Sequence, residues 1–315
     1  MARKRKGRAV HGWLAIDKPV DVTSTQVVGK VKRLFNAQKA GHGGTLDPLA
    51  DGILPIALGE ATKTAQWAMN GDKEYVFTVR WGVSTDSQDR EGAVIAESDV
   101  RPGREDIEAA LPEFLGAIQQ VPPKYSAIKV DGERAYDLAR DGESFELPSR
   151  TVELFEAELL GVPDADHAKF RIVTGKGFYV RALARDLAAH LGTEGHVSAL
   201  RRTRVGAFDE PSSVALDQLE ALAEDRDTLD GKLMPVQSIL DQVPQISVMH
   251  SDAAMIKQGR EIVLLPHIVE DWRSQRAENT EDRDALVLCD GVAVALGEVR
   301  AGRFRPKRVF QIEAS

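Results

Sequence analysis

Hydrophobic and polar positions change period several times along this chain, and each change predicts an element. EYVFTVRWG (74–82) alternates strictly. Tyr75, Phe77, Val79 and Trp81 share one face, which predicts a strand buried on that side. GWLAIDKP (12–19) and the segments 152–160 and 169–174 read as further strands. A helical period takes over in TSTQVVGKVKRLFN, where Val27, Val31, Leu34 and Phe35 line one side and Thr23 or Ser24 can cap the start. The clearest helix is FYVRALARDLAAHLG. Val180, Leu183, Ala184, Leu187, Ala188 and Leu191 form its apolar stripe, Gly192 ends it, and Arg181 and Arg185 fall together on its other side. REDIEAALPEFLG repeats the helical spacing, with Pro112 as an interruption.

After an expected boundary near 235–250 the pattern shifts to strands without obvious helices. ALVLCDGVAVALGEV carries the hairpin signal Asp290-Gly291, and the polar stretch 266–284 predicts a long loop. Strands and helices mix without regular βαβ alternation, so the expected class is α+β rather than a doubly wound fold.

The chain has 315 residues, 43% of them hydrophobic and 29% charged, an ordinary balance for a globular protein of one large or two medium domains. No apolar run approaches the roughly 20 residues that span a bilayer. The start, MARKRKGRAVHGW, is basic but has no apolar core of a secretory signal, and the scarcity of cysteine makes a reducing cytoplasm the expected setting. A single cysteine, Cys289, excludes an intramolecular disulfide framework and any multi-thiolate site. The seven histidines show no HExxH spacing, so no metal is expected. The net charge of −8 conceals basic clusters at Arg3, Lys4, Arg5, Lys6 and Arg8, at Arg201, Arg202 and Arg204, and along RAGRFRPKR (300–308). Three such clusters in an acidic chain lean toward a polyanionic partner.

Candidate chemistry centres on GHGGTLDPLADG (41–52). Its glycines permit close backbone approach and positive φ, while Pro48 stiffens the residue before it, so the loop presents His42 and Asp47 in a shaped setting. The lysine of a phosphate-binding loop is missing. Pro48 spoils a dinucleotide fingerprint, and no G-x-S-x-G elbow exists for Ser–His–Asp chemistry. A retaining glycosidase would need a second carboxylate nearby, and Asp51 is close only in sequence. What remains is a lone carboxylate acting as nucleophile or electrostatic stabiliser, partnered by an arginine such as Arg181. The commonest role of an Asp in such a loop, an Asx turn, stands beside that reading.

KAGHGGTLDPLADGILPIALGEATK closely resembles the signature loop of the bacterial tRNA pseudouridine synthases that modify uridine 55 of the TΨC arm. The likeness continues through WLAIDKP, KEYVFTVRWGVSTDSQDREG, PPKYSAIKVDGERAYDLARDG, GKGFYVRALARDLA and HVSALRRTRVG, covering roughly residues 10–240 in order. The resemblance implies a mostly antiparallel mixed sheet split by a catalytic cleft, with helices packed around it. It implies Asp47 as the essential carboxylate, Tyr75 against the target base and Arg181 as partner of Asp47. Tyr179 and Leu200 would line the uridine pocket, and His42 would fill the space a flipped nucleotide leaves. Lys18, Lys63, Lys129, Arg201 and Arg202 lie within matched motifs and are candidates for RNA backbone contacts. The implied reaction is a redox-neutral isomerisation of a flipped uridine, needing no cofactor and no obligate protein partner. Covalent addition of Asp47 to the ribose and a glycal route both remain open. A helper of tRNA folding and a nucleoside glycosidase are the alternative functions. The expected organisation is a basic arm (1–9), a catalytic unit (10–245) and a small β-rich, PUA-like tail (246–315) that would grip the acceptor stem.

Overall fold

The computed structural model describes residues 7–126, 128–130, 133–140, 143, 145–276 and 283–312. The expected arm is therefore outside it up to Lys6, while Arg8 pairs with Asp230 at 2.5 Å.

A ten-stranded sheet organises the larger part of the chain. Its main path runs Ser213–Ala215, Gly12–Lys18, Asp51–Leu58, Gly195–Val205, Lys73–Trp81, His167–Thr174, Arg150–Asp164, Gly116–Gln120. Most neighbours are antiparallel. Two are parallel: Gly12–Lys18 beside Ser213–Ala215, and Asp51–Leu58 beside Gly195–Val205. The second is the weak seam of the sheet, because only Arg201 faces Asp51 and Arg202 faces Gly52. Beyond those pairs the two halves part, and the gap between them is the cleft.

Alternation in Lys73–Trp81 does what the sequence predicts. Tyr75, Phe77, Val79 and Trp81 are all buried, and Phe77 stacks on Phe170 of the neighbouring strand at 5.2 Å. Helix Ser24–Leu34 starts at a capping box in which Thr23 and Gln26 satisfy each other's orphan backbone groups. Its Val27 and Val31, with the following Phe35, enter the core. Helix Val180–His190 packs its stripe beneath the sheet, and Gly192 follows at φ +69°. Pro112 ends helix Arg104–Ala110 in a 3-10 turn, Leu111–Phe114.

A second sheet of five strands runs Gln245–Ser247, Asp284–Cys289, Val292–Arg300, Arg303–Val309, Ile262–Val263. The Asp290-Gly291 turn joins its central hairpin, with both residues at positive φ. Two helices here correct the sequence reading. His250–Lys257 lies in a region expected to hold only strands, and Pro266–Ser274 occupies half of the expected loop. The sequence between 266 and 276 looks loop-like because the helix buries only Val269 and Trp272, with Ile268 half-buried beside them, and the rest of its side chains are polar or charged apart from Pro266. The two sheets share one apolar cluster: Trp13, Ile53 and Phe208 from the first meet Leu286, Leu296 and Phe310 from the second.

Candidate active site

Asp47 stands in the loop between strands Ala40–His42 and Asp51–Leu58, at the cleft. The loop is fastened from three sides. Ser24, first residue of its helix, exchanges hydrogen bonds with the backbone N–H and C=O of Leu46, both at 2.9 Å. Lys18 donates from below to the carbonyls of Pro19, Val22 and Pro48 at 2.8, 2.8 and 3.3 Å. Arg202 donates to the carbonyls of Ile53, Thr45 and Gly44 at 2.8, 3.1 and 3.2 Å. Two glycines make this closeness feasible. A Cβ on Gly43 would lie 2.5 Å from that of Ala68, and one on Gly52, at φ +101°, would lie 2.2 Å from the Arg202 carbonyl oxygen.

Arg181, 4% exposed, reaches Asp47 from the first turn of its helix. Its Nη2 is 2.9 Å from Asp47 Oδ2 and also donates to the Tyr125 carbonyl at 2.8 Å. Its Nη1 donates to Asp89 Oδ2 at 3.2 Å and to the Ser87 carbonyl at 3.0 Å. Asp89 is buried as well, and its other oxygen accepts from Ser87 Oγ at 2.6 Å and Glu91 N–H at 3.0 Å. A chain Asp47–Arg181–Asp89 results, in which one guanidinium orients the half-exposed Asp47 carboxylate and is itself neutralised from behind. Sequence reading missed Asp89. It sits in the polar run STDSQDREG, where nothing separates it from Asp86.

Two cavities open at this point. The inner one, about 250 Å³, is lined by Asp47, Tyr75, Phe178, Tyr179, Leu200 and Arg181, among others. The outer one, about 720 Å³, takes in His42, Asp47, Asp86, Asp89, Tyr125 and Arg181. Of the eleven residues singled out from sequence, Asp47, Tyr75, Tyr179, Arg181, Leu200 and Arg202 therefore line the inner cavity, and His42 joins Asp47 in the outer one. Tyr179 is held by a reciprocal pair of bonds with the Gln120 side chain at 2.8 and 3.1 Å, and Arg150 lies over its ring at 4.9 Å. Burial, and then the charge of Arg202, keeps the His42 imidazole less basic than usual, and its Nδ1 accepts from Gly44 N–H at 3.4 Å. Lys73 also faces the inner cavity; burial lowers its ammonium to a pKa of about 8.

The candidates for backbone contacts divide differently. Lys18 and Arg202 are buried, at 0% and 2% exposure, and their charges are spent on loop carbonyls. Lys63 bridges Glu60 at 2.6 Å and the Val309 carbonyl at 2.7 Å, tying the two sheets together. Arg201 is held by Asp17, Asp51 and Glu210 at 2.9, 2.9 and 2.6 Å. Each of the four therefore has a role in holding this fold together, through carbonyls or carboxylates of the protein itself. Asp51, the one nearby carboxylate considered as a glycosidase partner, is likewise committed to Arg201 and lines neither cavity. Lys129 begins the short strand Lys129–Val130, and its side chain is outside the described residues.

Residues 32–180 match the model of the TruB family pseudouridylate synthase N-terminal domain, and residues 181–241 match the tRNA pseudouridylate synthase B C-terminal domain. A protein of Caulobacter vibrioides named tRNA pseudouridine synthase B is 55% identical over 312 residues, covering 99% of this chain and all of its own. One of the same name from Agrobacterium fabrum is 50% identical over 314 residues, covering 98% and 97%. Among solved structures, a Cbf5–Nop10–Gar1 complex aligns at a TM-score of 0.71 and 25% identity, over 95% of this chain and 84% of that one. With likeness across nearly the full length, the chain belongs to the TruB family of pseudouridylate synthases.

Proposed function

We propose that this protein isomerises a uridine of tRNA to pseudouridine, at position 55 of the TΨC arm, with Asp47 as the essential group. The observation that carries the reading is the Asp47–Arg181–Asp89 chain at the junction of the two cavities. A guanidinium set against a carboxylate fixes its direction. Such a carboxylate can add to the ribose C1′ or assist loss of a proton from C2′. Either way the N1–C1′ bond breaks and the freed uracil turns; C5 then bonds to C1′ as the Asp47–C1′ bond breaks in the first route, or as the proton returns to C2′ in the second. The C5 proton leaves and N1 takes one up, so atoms and electrons balance with no external oxidant or reductant.

The target base must leave its stack, which costs a few kcal/mol. The inner cavity offers Tyr75, Phe178 and Leu200 as apolar walls in return, and stacking on one ring recovers roughly 1–3 kcal/mol. His42, in the outer cavity, would occupy the space the nucleotide vacates. Exposed Arg300 and Arg303 edge the small sheet, which in this reading is a PUA-like module meeting the acceptor stem, in a cytoplasmic enzyme. Pseudouridine mapping on an unmodified tRNA transcript tests the assignment. Wild type should modify the T-loop uridine and Asp47→Asn should not. Equal RNA binding by both proteins with no modification by either would remove the isomerase and leave a tRNA-folding helper.

A further inference from the structure

We propose that Ser126 binds the 2′-hydroxyl of the target ribose. The inference rests on the isomerase reading above and adds a substrate-binding residue to it. Five residues line both cavities: Thr45, Leu46, Asp47, Ser126 and Arg181. A nucleotide whose base enters the inner cavity from a strand in the outer one must thread this neck with its sugar. Asp47, which acts on the sugar, stands there already. Thr45 and Ser126 carry the two hydroxyls at the neck; Thr45 is exposed to solvent, whereas Ser126 is buried with its Oγ unbonded.

Its surroundings show why. Ser126 is 5% exposed, and its Oγ has no hydrogen-bond partner among the described residues. Buried hydroxyls are normally bonded, so an unbonded one at a substrate channel calls for a ligand. The hydroxyl is not needed to hold the segment in place. The backbone does that: Ser126 N–H donates to the Lys124 carbonyl at 3.0 Å, Tyr136 N–H donates to the Ser126 carbonyl at 3.0 Å, and Arg181 grips the adjacent Tyr125 carbonyl. In the unliganded protein Oγ is shielded from solvent. Turning it about χ1 toward a ligand would break no internal bond.

The charged groups that share the neck with Ser126, Asp47 and Arg181, are already paired with each other, which leaves the neutral hydroxyl to meet a neutral partner. A serine hydroxyl can both donate to and accept from a ribose 2′-OH, a group that also distinguishes RNA from DNA.

The experiment pairs a protein change with a substrate change. Wild type and Ser126→Ala are each measured for kcat/KM on a uridine-containing tRNA transcript. Both are also measured for binding to that RNA and to the same RNA with 2′-deoxyuridine at the target position. The expected result is a loss of about tenfold in kcat/KM for the alanine protein. On the deoxy RNA the two proteins should bind equally, because the partner atom is already gone. Ser126→Thr, which keeps the hydroxyl, should restore most of the activity. If alanine leaves uridine RNA within twofold of wild type, the inference is overturned. It is equally overturned if alanine weakens binding to ribose and deoxyribose substrates alike, since the hydroxyl would then serve the loop. Should the alanine protein misfold, Ser126→Cys, a weak donor of similar size, gives the same comparison. A wild type that leaves every tRNA uridine unmodified would overturn the isomerase reading itself, and this inference with it.

Discussion

Replacing Arg202 with methionine separates a loop support from an RNA contact. The guanidinium is 2% exposed and caps three carbonyls, two of which, Gly44 and Thr45, lie just before Asp47. Hydrogen bonds from a charged donor contribute roughly 1.5–3 kcal/mol each. Methionine refills much of the volume and removes the desolvation of a buried cation, which offsets part of that sum. A net loss of about 3 kcal/mol of folding stability is expected, on the order of a hundredfold in the folded-to-unfolded ratio. In a chain of this size the melting temperature should fall by roughly 6 °C or more. Below that temperature the Asp47 loop sags, so kcat should fall further than KM rises. Two assays decide. Denaturant unfolding gives the stability change, and tRNA binding as a function of salt counts phosphate contacts. A phosphate-binding arginine would lower the salt slope by about 0.7–0.9 per contact removed, whereas a loop support leaves it unchanged. A variant as stable as wild type with a reduced salt slope would refute the structural account of Arg202.

Three further outcomes follow from the same geometry. Asp47→Asn should reduce pseudouridine formation by about 10³-fold or more while tRNA affinity, by filter binding, stays within about threefold. Arg181→Lys should cost about 100-fold in kcat/KM by single-turnover assay, because an ammonium cannot span Asp47, Asp89 and two carbonyls in one plane. His42 is the pH-dependent case. Its folded pKa is held below the usual 6.5 by burial and Arg202, so as pH drops through that value the unfolded chain binds a proton the folded one resists. Stability should therefore decline below about pH 6.5, and His42→Gln should flatten that decline in denaturant midpoints compared at pH values above and below it.

How much was legible beforehand differs by element. The Lys73–Trp81 strand and the two helices starting at Ser24 and Val180 carry their periods openly, because each turns one continuous face to the core. Pro266–Ser274 does not, since two buried residues with a half-buried Ile268 make too narrow a stripe to distinguish from loop. The Asp47 loop announced itself through glycine and proline spacing, and its partner Arg181 could be guessed from the helix that carries it. Arg202 and Lys18 stood only as candidates for RNA backbone contacts, because nothing local in LRRTR or IDKP signals that backbone carbonyls from distant segments surround them.

Sequence alone determined the strand Lys73–Trp81, the helices starting at Ser24 and Val180, the shape-restricting residues around Asp47 and the family likeness, since these depend on local spacing and residue type. Tertiary structure decided which charges meet. Asp89 and Arg181 are 92 positions apart and Arg202 lies more than 150 positions from the carbonyls of the Asp47 loop. Their pairing follows from the seam in the sheet, where a two-residue parallel junction brings Arg201 and Arg202 against Asp51 and Gly52 and lets the halves diverge. That divergence creates the cleft, and a cleft is a property of packed elements that no single stretch of chain contains.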